Sequence, residues 1–238
     1  MKEFNMITEI KIPQIMPNSD NLAEIESWFK KHVKSNFSAN NDIKMITAAL
    51  QKLTHLNRAN SLSDSVNVSL GYTVLHQVAK LGFDRFIENC AENHQQTFKE
   101  MLNQPSKMGN TPLHLATLEG HADTVEVLLE TGANPNSENE NKMTPLIFAA
   151  SKISTDLNNQ KARIDIFKLL LPITDNSKLT ALDYLEMPLL LNLTKLPGVD
   201  LVKLVLEKCP ELLFVSDKRN QNIIHHAVRN KNEELINY

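Results

Sequence analysis

Residues Gly109–Ala116 read Gly-Asn-Thr-Pro-Leu-His-Leu-Ala, a compact signal for the start of a helix. Thr111 suits the N-cap position because its hydroxyl can accept a hydrogen bond from a backbone N–H of the first turn. Pro112 suits the first helical position, where no backbone N–H is needed. His114 falls three residues after the cap, where its side chain can reach back as in a capping box. The stretch therefore predicts a short helix that begins at Pro112.

The next residues complete a helix pair. Gly120 can adopt the left-handed conformation that ends the first helix. Asp123 then opens a second helix, in which Val125, Leu128 and Leu129 form one apolar stripe. Neither short helix can bury its apolar side alone, so the pair predicts a structure in which similar pairs stack on one another.

Copies of this stretch recur along the chain. Thr144-Pro145-Leu146 follows Thr111 after 33 residues, and weaker copies begin at Gly71, Thr180 and Asn222. With its Thr-Pro-Leu-His-x-Ala core and 33-residue period, the pattern resembles the ankyrin repeat. The resemblance implies an all-α solenoid of about five helix–turn–helix units over residues 65–238, the last of them truncated.

Two units depart from the pattern. The third has about eight residues inserted between its helices, within 152–162. In ankyrin repeats the loop that joins one unit to the next is called a finger. We expect the finger between the third and fourth units to be five residues shorter than the one before it. In the fourth unit, we also expect an insertion of about eight residues at Pro188–Gly198. Lys142 and Lys178 occupy the places where a finger glycine is usual, which predicts distorted turns there.

The two ends of the chain differ from its middle. Residues 1–64 lack the motif, and we expect two helices there that cap the open end of the stack. The fifth unit reaches Tyr238 before the Leu-Leu pair of its second helix. The sequence favours a fragment of a longer protein over a frayed last unit, because exposed apolar repeat faces are usually covered.

Composition narrows the class of protein. Hydrophobic residues make up 42% of the 238, and the net charge is −3, which argues against a nucleic-acid or membrane-surface protein. Two cysteines make no disulfide framework, and the chain has no signal peptide or apolar run long enough to insert into a membrane. We expect a cytoplasmic monomer.

The divergent repeats, rich in Asn and Lys, are similar to ankyrin effectors that intracellular bacteria deliver into host cells, which implies translocation and a host partner.

Candidate catalytic and metal-binding residues have simpler explanations. His76, His114 and His225 occupy the same position of three different repeats, too far apart to share a metal ion, and we interpret them as helix caps. Cys90 and His94 could start a zinc site on one helix face, yet no second Cys/His pair lies nearby in sequence. No glycine-rich phosphate cradle or hydrolase signature is present. We predict no enzymatic activity, no cofactor and no metal.

The resemblance also implies a binding surface, because ankyrin repeats contact partners through finger tips and inner helices. Transferred position by position, these contact residues are Leu70, Tyr72, Lys80, Leu81, Lys107, Met108, Asn110, Leu118, Glu119, Glu140, Asn141, Met143, Lys152, Lys218, Arg219, Gln221 and Arg229. Tyr72 is the expected anchor, since aromatic residues dominate interface energies. Lys218, Arg219 and Arg229 would favour an acidic feature on the partner.

Three functions follow from this sequence. The favoured one is an adaptor that binds another protein. The alternative is a targeting module of a larger enzyme or toxin whose catalytic part lies beyond residue 238. A zinc-dependent hydrolase within residues 1–238 is the third, and metal analysis of the purified chain would test it.

Overall fold

The computed structural model describes residues 71–93, 95–153, 159–183, 185–196 and 198–238. They belong to a compact unit that spans residues 66–238. The predicted N-terminal cap at residues 1–64, His94 and the candidate contact residue Leu70 lie outside the described residues.

Helices stack in the order of the sequence. The α-helices are α1 Val74–Leu81, α2 Asp84–Asn93, α3 Gln95–Leu102, α4 Pro112–Glu119, α5 Ala122–Glu130, α6 Pro145–Ile153, α7 Gln160–Ile173, α8 Leu189–Leu193, α9 Asp200–Lys208, α10 Ile223–Arg229 and α11 Glu233–Ile236. The first helix of each unit, here called the inner helix, is α1, α4, α6, α8 or α10, and each of these packs on the next. Among the outer helices, α2 packs on α5 and α5 on α7. The predicted all-α solenoid is confirmed.

Three inner helices begin with the predicted capping box. Thr73, Thr111 and Asn222 are the N-caps, and the histidine three residues later bonds back to each of them. The backbone N–H of Thr111 donates to Nδ1 of His114 over 3.1 Å, and Thr73 does the same to His76. Nδ1 is therefore the acceptor nitrogen of both rings, which leaves the ring proton on Nε2.

The same histidines join neighbouring units. Nε2 of His76 donates to the carbonyl oxygen of Asn110 over 2.9 Å, and Nε2 of His114 donates to that of Met143 over 3.0 Å. Both rings are fully buried. Burial lowers the pKa of His76 and lowers that of His114 to about 4, so both imidazoles are neutral at physiological pH.

Different side chains join units at the opposite ends of the inner helices. Nε2 of His121 donates to the carbonyl of Lys80 over 3.0 Å, reaching back to the preceding unit. Arg163 and Asn232 make equivalent backward bonds, to the carbonyls of Thr117 and Leu196. Carbonyls at or just beyond the C-terminal ends of these helices thus accept side-chain hydrogen bonds from the following unit.

Each finger between units contains the same five-residue turn. It recurs at Ser106–Asn110, Asn139–Met143, Asp183–Met187 and Asp217–Gln221, with a backbone bond from the first residue to the fifth. The fourth residue has a positive φ in every case, 74° at Gly109 and 61° at Lys142. Lys142 therefore adopts the glycine conformation within an undistorted turn, and the predicted distortion is wrong at that position.

The fourth unit begins at other residues than its motif predicts. Its turn is Asp183–Met187 and its inner helix starts at Leu189, so neither Thr180 nor Lys178 has the predicted place. The connection from Leu170 to Asp183 spans 13 residues, against ten from Leu129 to Asn139, so this finger is longer rather than shorter. The residues predicted as an insertion, 188–198, contain α8, the inner helix of this unit. All residues of Leu189–Leu193 are buried, whereas Thr180 and Leu182 are exposed.

A hydrogen bond between His226 and Asp217 anchors the finger of the fifth unit, Asp217–Gln221. Nε2 of His226 lies 3.0 Å from Oδ2 of Asp217, and the His226 side chain is 3% exposed. Oδ1 of Asp217 accepts the backbone N–H groups of Arg219 and Gln221, and these bonds, chiefly that from Gln221, lower the pKa of Asp217. His226 is buried, and its partner Asp217 lies in the finger that precedes its helix.

His121 of the second unit lies close to Gly82 of the first, so substitutions of this glycine test the packing at the boundary between the two units. Gly82 ends α1 with φ +77°, and a Cβ there would lie 2.7 Å from Nδ1 of His121. Gly120 ends α4 with φ +82°, but its Cβ would meet nothing nearer than 3.5 Å. We predict that Gly82→Ala lowers the free energy of unfolding by about 2–4 kcal/mol, against about 1–2 kcal/mol for Gly120→Ala, which bears the left-handed strain alone. Urea unfolding of both variants measures the difference, and equal losses would contradict this account of the boundary.

A second prediction concerns pH. An unfolded chain protonates His114 near pH 6.5, whereas the folded protein resists protonation down to about pH 4. Because the unfolded state binds the proton more readily, stability is lost as pH falls from 6.5 towards 4, by about 3 kcal/mol from this group. His114→Gln keeps a side chain that can bond back to the cap but does not titrate. Urea unfolding between pH 7.5 and 4.5 should show a shallower loss of stability in the variant, and parallel pH profiles would refute the assignment.

Candidate protein-interaction surface

Tyr72 lies directly before Thr73, the N-cap of α1. Its ring stacks on that of His76, with centroids 5.4 Å apart and an interplanar angle of 4°. Burial, helped by the charge of Glu119, raises the pKa of Tyr72. The ring is half-buried, so a pre-oriented aromatic surface remains for contact.

Each finger is numbered by the unit whose inner helix it precedes. The second finger, Ser106–Asn110, presents its tip to solvent. Lys107 and Met108 are exposed, Met108 by 44% of its surface. Asn110 is instead held by the fold, because its carbonyl accepts from His76 and its Oδ1 accepts from Nδ2 of Asn139 over 2.9 Å. Lys107 and Met108 are therefore available for binding, whereas Asn110 mainly ties two fingers together.

The third finger lies directly against the second. The backbone N–H of Glu140 donates to the carbonyl of Met108 over 3.1 Å, and Glu140 and Asn141 are both exposed. Met143 is a correction, because it is 1% exposed and its carbonyl accepts from His114. Its side chain belongs to the core and is removed from the candidate surface.

The last turns of the inner helices supply further candidates at equivalent positions. Lys80 and Leu81 of α1 correspond to Leu118 and Glu119 of α4, and all four are half-buried. Lys152 of α6 is also half-buried. A mixed surface of apolar stems and charged ends results, which suits contact with a protein better than with a uniformly charged polymer.

The basic end of the surface is partly neutralised. Nζ of Lys218 lies 2.6 Å from Oε1 of Glu186 in an exposed ion pair between the fifth and fourth fingers. Arg229 donates a hydrogen bond to Gln221, and Arg219 is exposed. The positive field expected of Lys218, Arg219 and Arg229 is therefore reduced at Lys218.

Phe148 is a candidate that sequence reasoning missed. It lies on α6 at the position of Leu115 on α4, 33 residues later, and it is half-buried. Its ring meets that of His114 edge to face, with centroids 5.6 Å apart. A comparison of the inner helices position by position would have found it, because Phe replaces Leu at a place that the next unit does not cover completely.

Groups suited to chemistry are dispersed. Burial raises the pKa of the Cys90 thiol to about 11, which makes it a poor nucleophile at neutral pH. Burial and the adjacent Glu211 carboxylate also raise the pKa of Cys209. Within the described ranges, no three His, Cys, Asp or Glu side chains are grouped as metal ligands, and no helix is long and apolar enough to cross a membrane.

A cavity of about 220 Å³ lies between α7 and α9. Its lining combines Ile164, Leu193 and Leu201 with Lys168 and Asp200.

Comparisons with known proteins agree with this architecture. Residues 36–139 match the family profile "Ankyrin repeats (3 copies)", and residues 113–171 match "Ankyrin repeats (many copies)". The ANK repeat-containing protein nipk-1 of Caenorhabditis elegans is 24% identical over 182 residues, which cover 71% of this chain and 29% of that protein.

Two further relatives share a shorter stretch. The transient receptor potential cation channel subfamily A member 1 of Homo sapiens is 40% identical over 83 residues, or 35% of this chain and 7% of the channel. Alpha-latrotoxin-Lhe1a of Latrodectus hesperus is 37% identical over 83 residues, or 34% of this chain and 6% of the toxin. The chain thus spans less than a third of the length of each of these relatives. With helix pairs stacked in sequence order, histidine capping boxes at three of them and profile matches over 36–171, the chain belongs to the ankyrin-repeat family.

Proposed function

We propose that this chain is an adaptor that binds a partner protein through its finger tips and the exposed sides of its inner helices. Ankyrin repeats are generally non-catalytic protein-binding modules. The observation that carries the proposal is a set of apolar side chains on this surface, of which Met108 is exposed and Tyr72 and Leu118 are half-buried. A partner that covers them gains free energy from apolar burial.

Rigid support favours Tyr72 and Phe148 as anchors. Each ring rests on a buried histidine that is itself bonded to the next unit. Little side-chain freedom remains to be lost on binding, which improves affinity for a given contact area. Lys80, Lys107, Glu119 and Glu140 surround this region with both charges, and they would select the orientation of the partner.

The partner class is a further part of the proposal. The divergent, Asn- and Lys-rich repeats support an effector that is translocated into a host cell and binds a host protein in the cytoplasm as a monomer. Affinity purification from host extract and from the extract of the source organism distinguishes the cases. Direct partners found only in the source organism would overturn the effector hypothesis.

One observation favours an alternative, a targeting module within a larger enzyme or toxin. The chain spans 6% of a spider toxin and 7% of a channel, so similar repeats occur as small parts of long proteins. Immunodetection of the native polypeptide in its source cells tests this alternative. A mass near 26.9 kDa would contradict it, and a much larger mass would support it.

The contact surface can be tested by truncating two of its side chains. We predict that the double variant Tyr72→Ala and Met108→Ala weakens binding of a direct partner at least about tenfold, because central aromatic contacts contribute about 2 kcal/mol or more. Chemical cross-linking and mass spectrometry identify the direct partner, and isothermal titration calorimetry then measures its Kd.

A matched control removes exposed apolar side chains from outer helices instead. Ile173 ends α7 and Leu204 lies on α9, and they are 45% and 38% exposed. The double variant Ile173→Ala and Leu204→Ala should bind like the parent chain. Equal affinity of the parent chain and the Tyr72/Met108 variant would place the partner elsewhere.

A further inference from the structure

The cavity of about 220 Å³ lies where the third unit meets the fourth, between their outer helices α7 and α9. The outer helices of earlier units pack directly on one another, α2 on α5 and α5 on α7. In the described part of the chain, α9 makes no comparable contact with α7, and the cavity occupies the space between them. The regular packing of the outer helices is therefore interrupted at this boundary.

The cavity also lies at the end of a shortened inner helix. The inner helix α8 spans five residues, Leu189–Leu193, whereas α4 spans eight. With Pro188 aligned on Thr111 as the N-cap, Leu196 has the place of Glu119, the last residue of α4, but it lies outside α8. Since Leu196 lines the cavity, the open space coincides with the missing last turn of this inner helix.

Apolar side chains from three parts of the fold line the cavity. Ile164 comes from α7, Leu193 and Leu196 come from the end of α8 and the residues after it, and Leu201 and Val202 come from α9. All of them are buried except Ile164, which is half-buried. An apolar space of about 150 Å³ is enough to hold a benzene ring. This cavity can therefore take one aromatic ring or one branched aliphatic group.

Two opposite charges accompany this apolar lining. Lys168 lies four residues after Ile164 on the same face of α7, and Asp200 is the first residue of α9. Both line the cavity and both are exposed, which places them at its mouth. Within the described residues, neither side chain forms an ion pair. A ligand with a single charge would be attracted by one of these groups and repelled by the other, whereas a ligand with both charges suits the pair.

We propose that this cavity binds a small zwitterion with a large apolar group, namely a free α-amino acid with an aromatic or branched aliphatic side chain. The apolar side chain would occupy the space beside Leu193 and Leu201. The carboxylate of the ligand would pair with Lys168, whose long flexible stem lets its ammonium group follow the ligand, and the ammonium of the ligand would pair with Asp200. The site lies between outer helices and is independent of the protein partner proposed for the finger surface.

A side chain of a partner protein fits this site less well. The same two helices expose Lys161, Asp165 and Glu207, and the buried core of a protein interface is depleted of charged residues. The cavity itself has room for one apolar group. A free amino acid supplies that group and both charges without requiring a wider apolar interface.

Titration with four small molecules tests the proposal. The probes are L-phenylalanine, 3-phenylpropionate, which lacks the ammonium group, 2-phenylethylamine, which lacks the carboxylate, and glycine, which lacks the apolar group. We expect L-phenylalanine to shift the methyl NMR signals of Ile164, Leu193, Leu201 and Val202 in the full chain, with a Kd of about 1 mM or tighter. Each of the other three should bind at least about threefold more weakly, because it leaves one feature of the site unused.

Charge variants assign the two polar contacts. Lys168→Gln should weaken binding of L-phenylalanine at least about threefold without weakening that of 2-phenylethylamine, which has no carboxylate. Asp200→Asn should likewise weaken L-phenylalanine but not 3-phenylpropionate, which has no ammonium group. The matched controls Lys161→Gln and Asp165→Asn remove the same charges from exposed positions of α7 outside the lining, and they should bind like the parent chain.

A larger side chain in the cavity provides an independent test. Ile164→Phe should abolish the shifts of Leu193 and Leu201 while the Tm stays within about 3 °C of the parent value, because the added atoms enter open space. Three results would each overturn the proposal: no shifts in the parent chain at about 10 mM L-phenylalanine, equal affinity for all four probes, or binding that survives Ile164→Phe. Affinity for L-phenylalanine that neither Lys168→Gln nor Asp200→Asn changes would also contradict it, whether or not the larger side chain is tolerated.

Discussion

The stack depends on neutral histidine rings that bond in two directions. Nδ1 of His114 accepts from the cap of its own helix, and Nε2 donates to the carbonyl of Met143 in the next unit. A helix of eight residues is too short to be stable alone, so its start must be fixed by a cap and its apolar side by a neighbour. One buried imidazole does both, and it can do so only while it is uncharged.

The same rings connect the interior to the proposed binding surface. Tyr72 stacks on His76, and Phe148 meets His114 edge to face. Interior bonds thereby orient the two aromatic side chains that we expect a partner to contact. The finger tips that carry Lys107, Met108 and Glu140 are joined by a backbone bond, so they form a continuous surface rather than independent loops.

Local chemistry made much of this fold predictable. A cap, a proline at the first helical position and a histidine at the third identify a helix start without any tertiary information, and all three occur at Thr111–His114. The fourth unit was misplaced because Thr180 and Leu182 match the motif, whereas the residue that forms the turn is Asp183, through its side-chain oxygen. The buried residues Met143 and His226 are bonded to a preceding histidine, His114, and a preceding aspartate, Asp217. Such contacts cannot be read from one repeat considered alone.

The central claim concerns the protonation of His76 and His114, and NMR spectroscopy tests it directly. Long-range proton–nitrogen correlation spectra at pH 7 distinguish a protonated from an unprotonated ring nitrogen. For both residues this account predicts a neutral ring with the proton on Nε2 and an unprotonated Nδ1. A doubly protonated ring, or a neutral ring with its proton on Nδ1, would contradict it, because neither could accept from the cap and donate to the next unit at once.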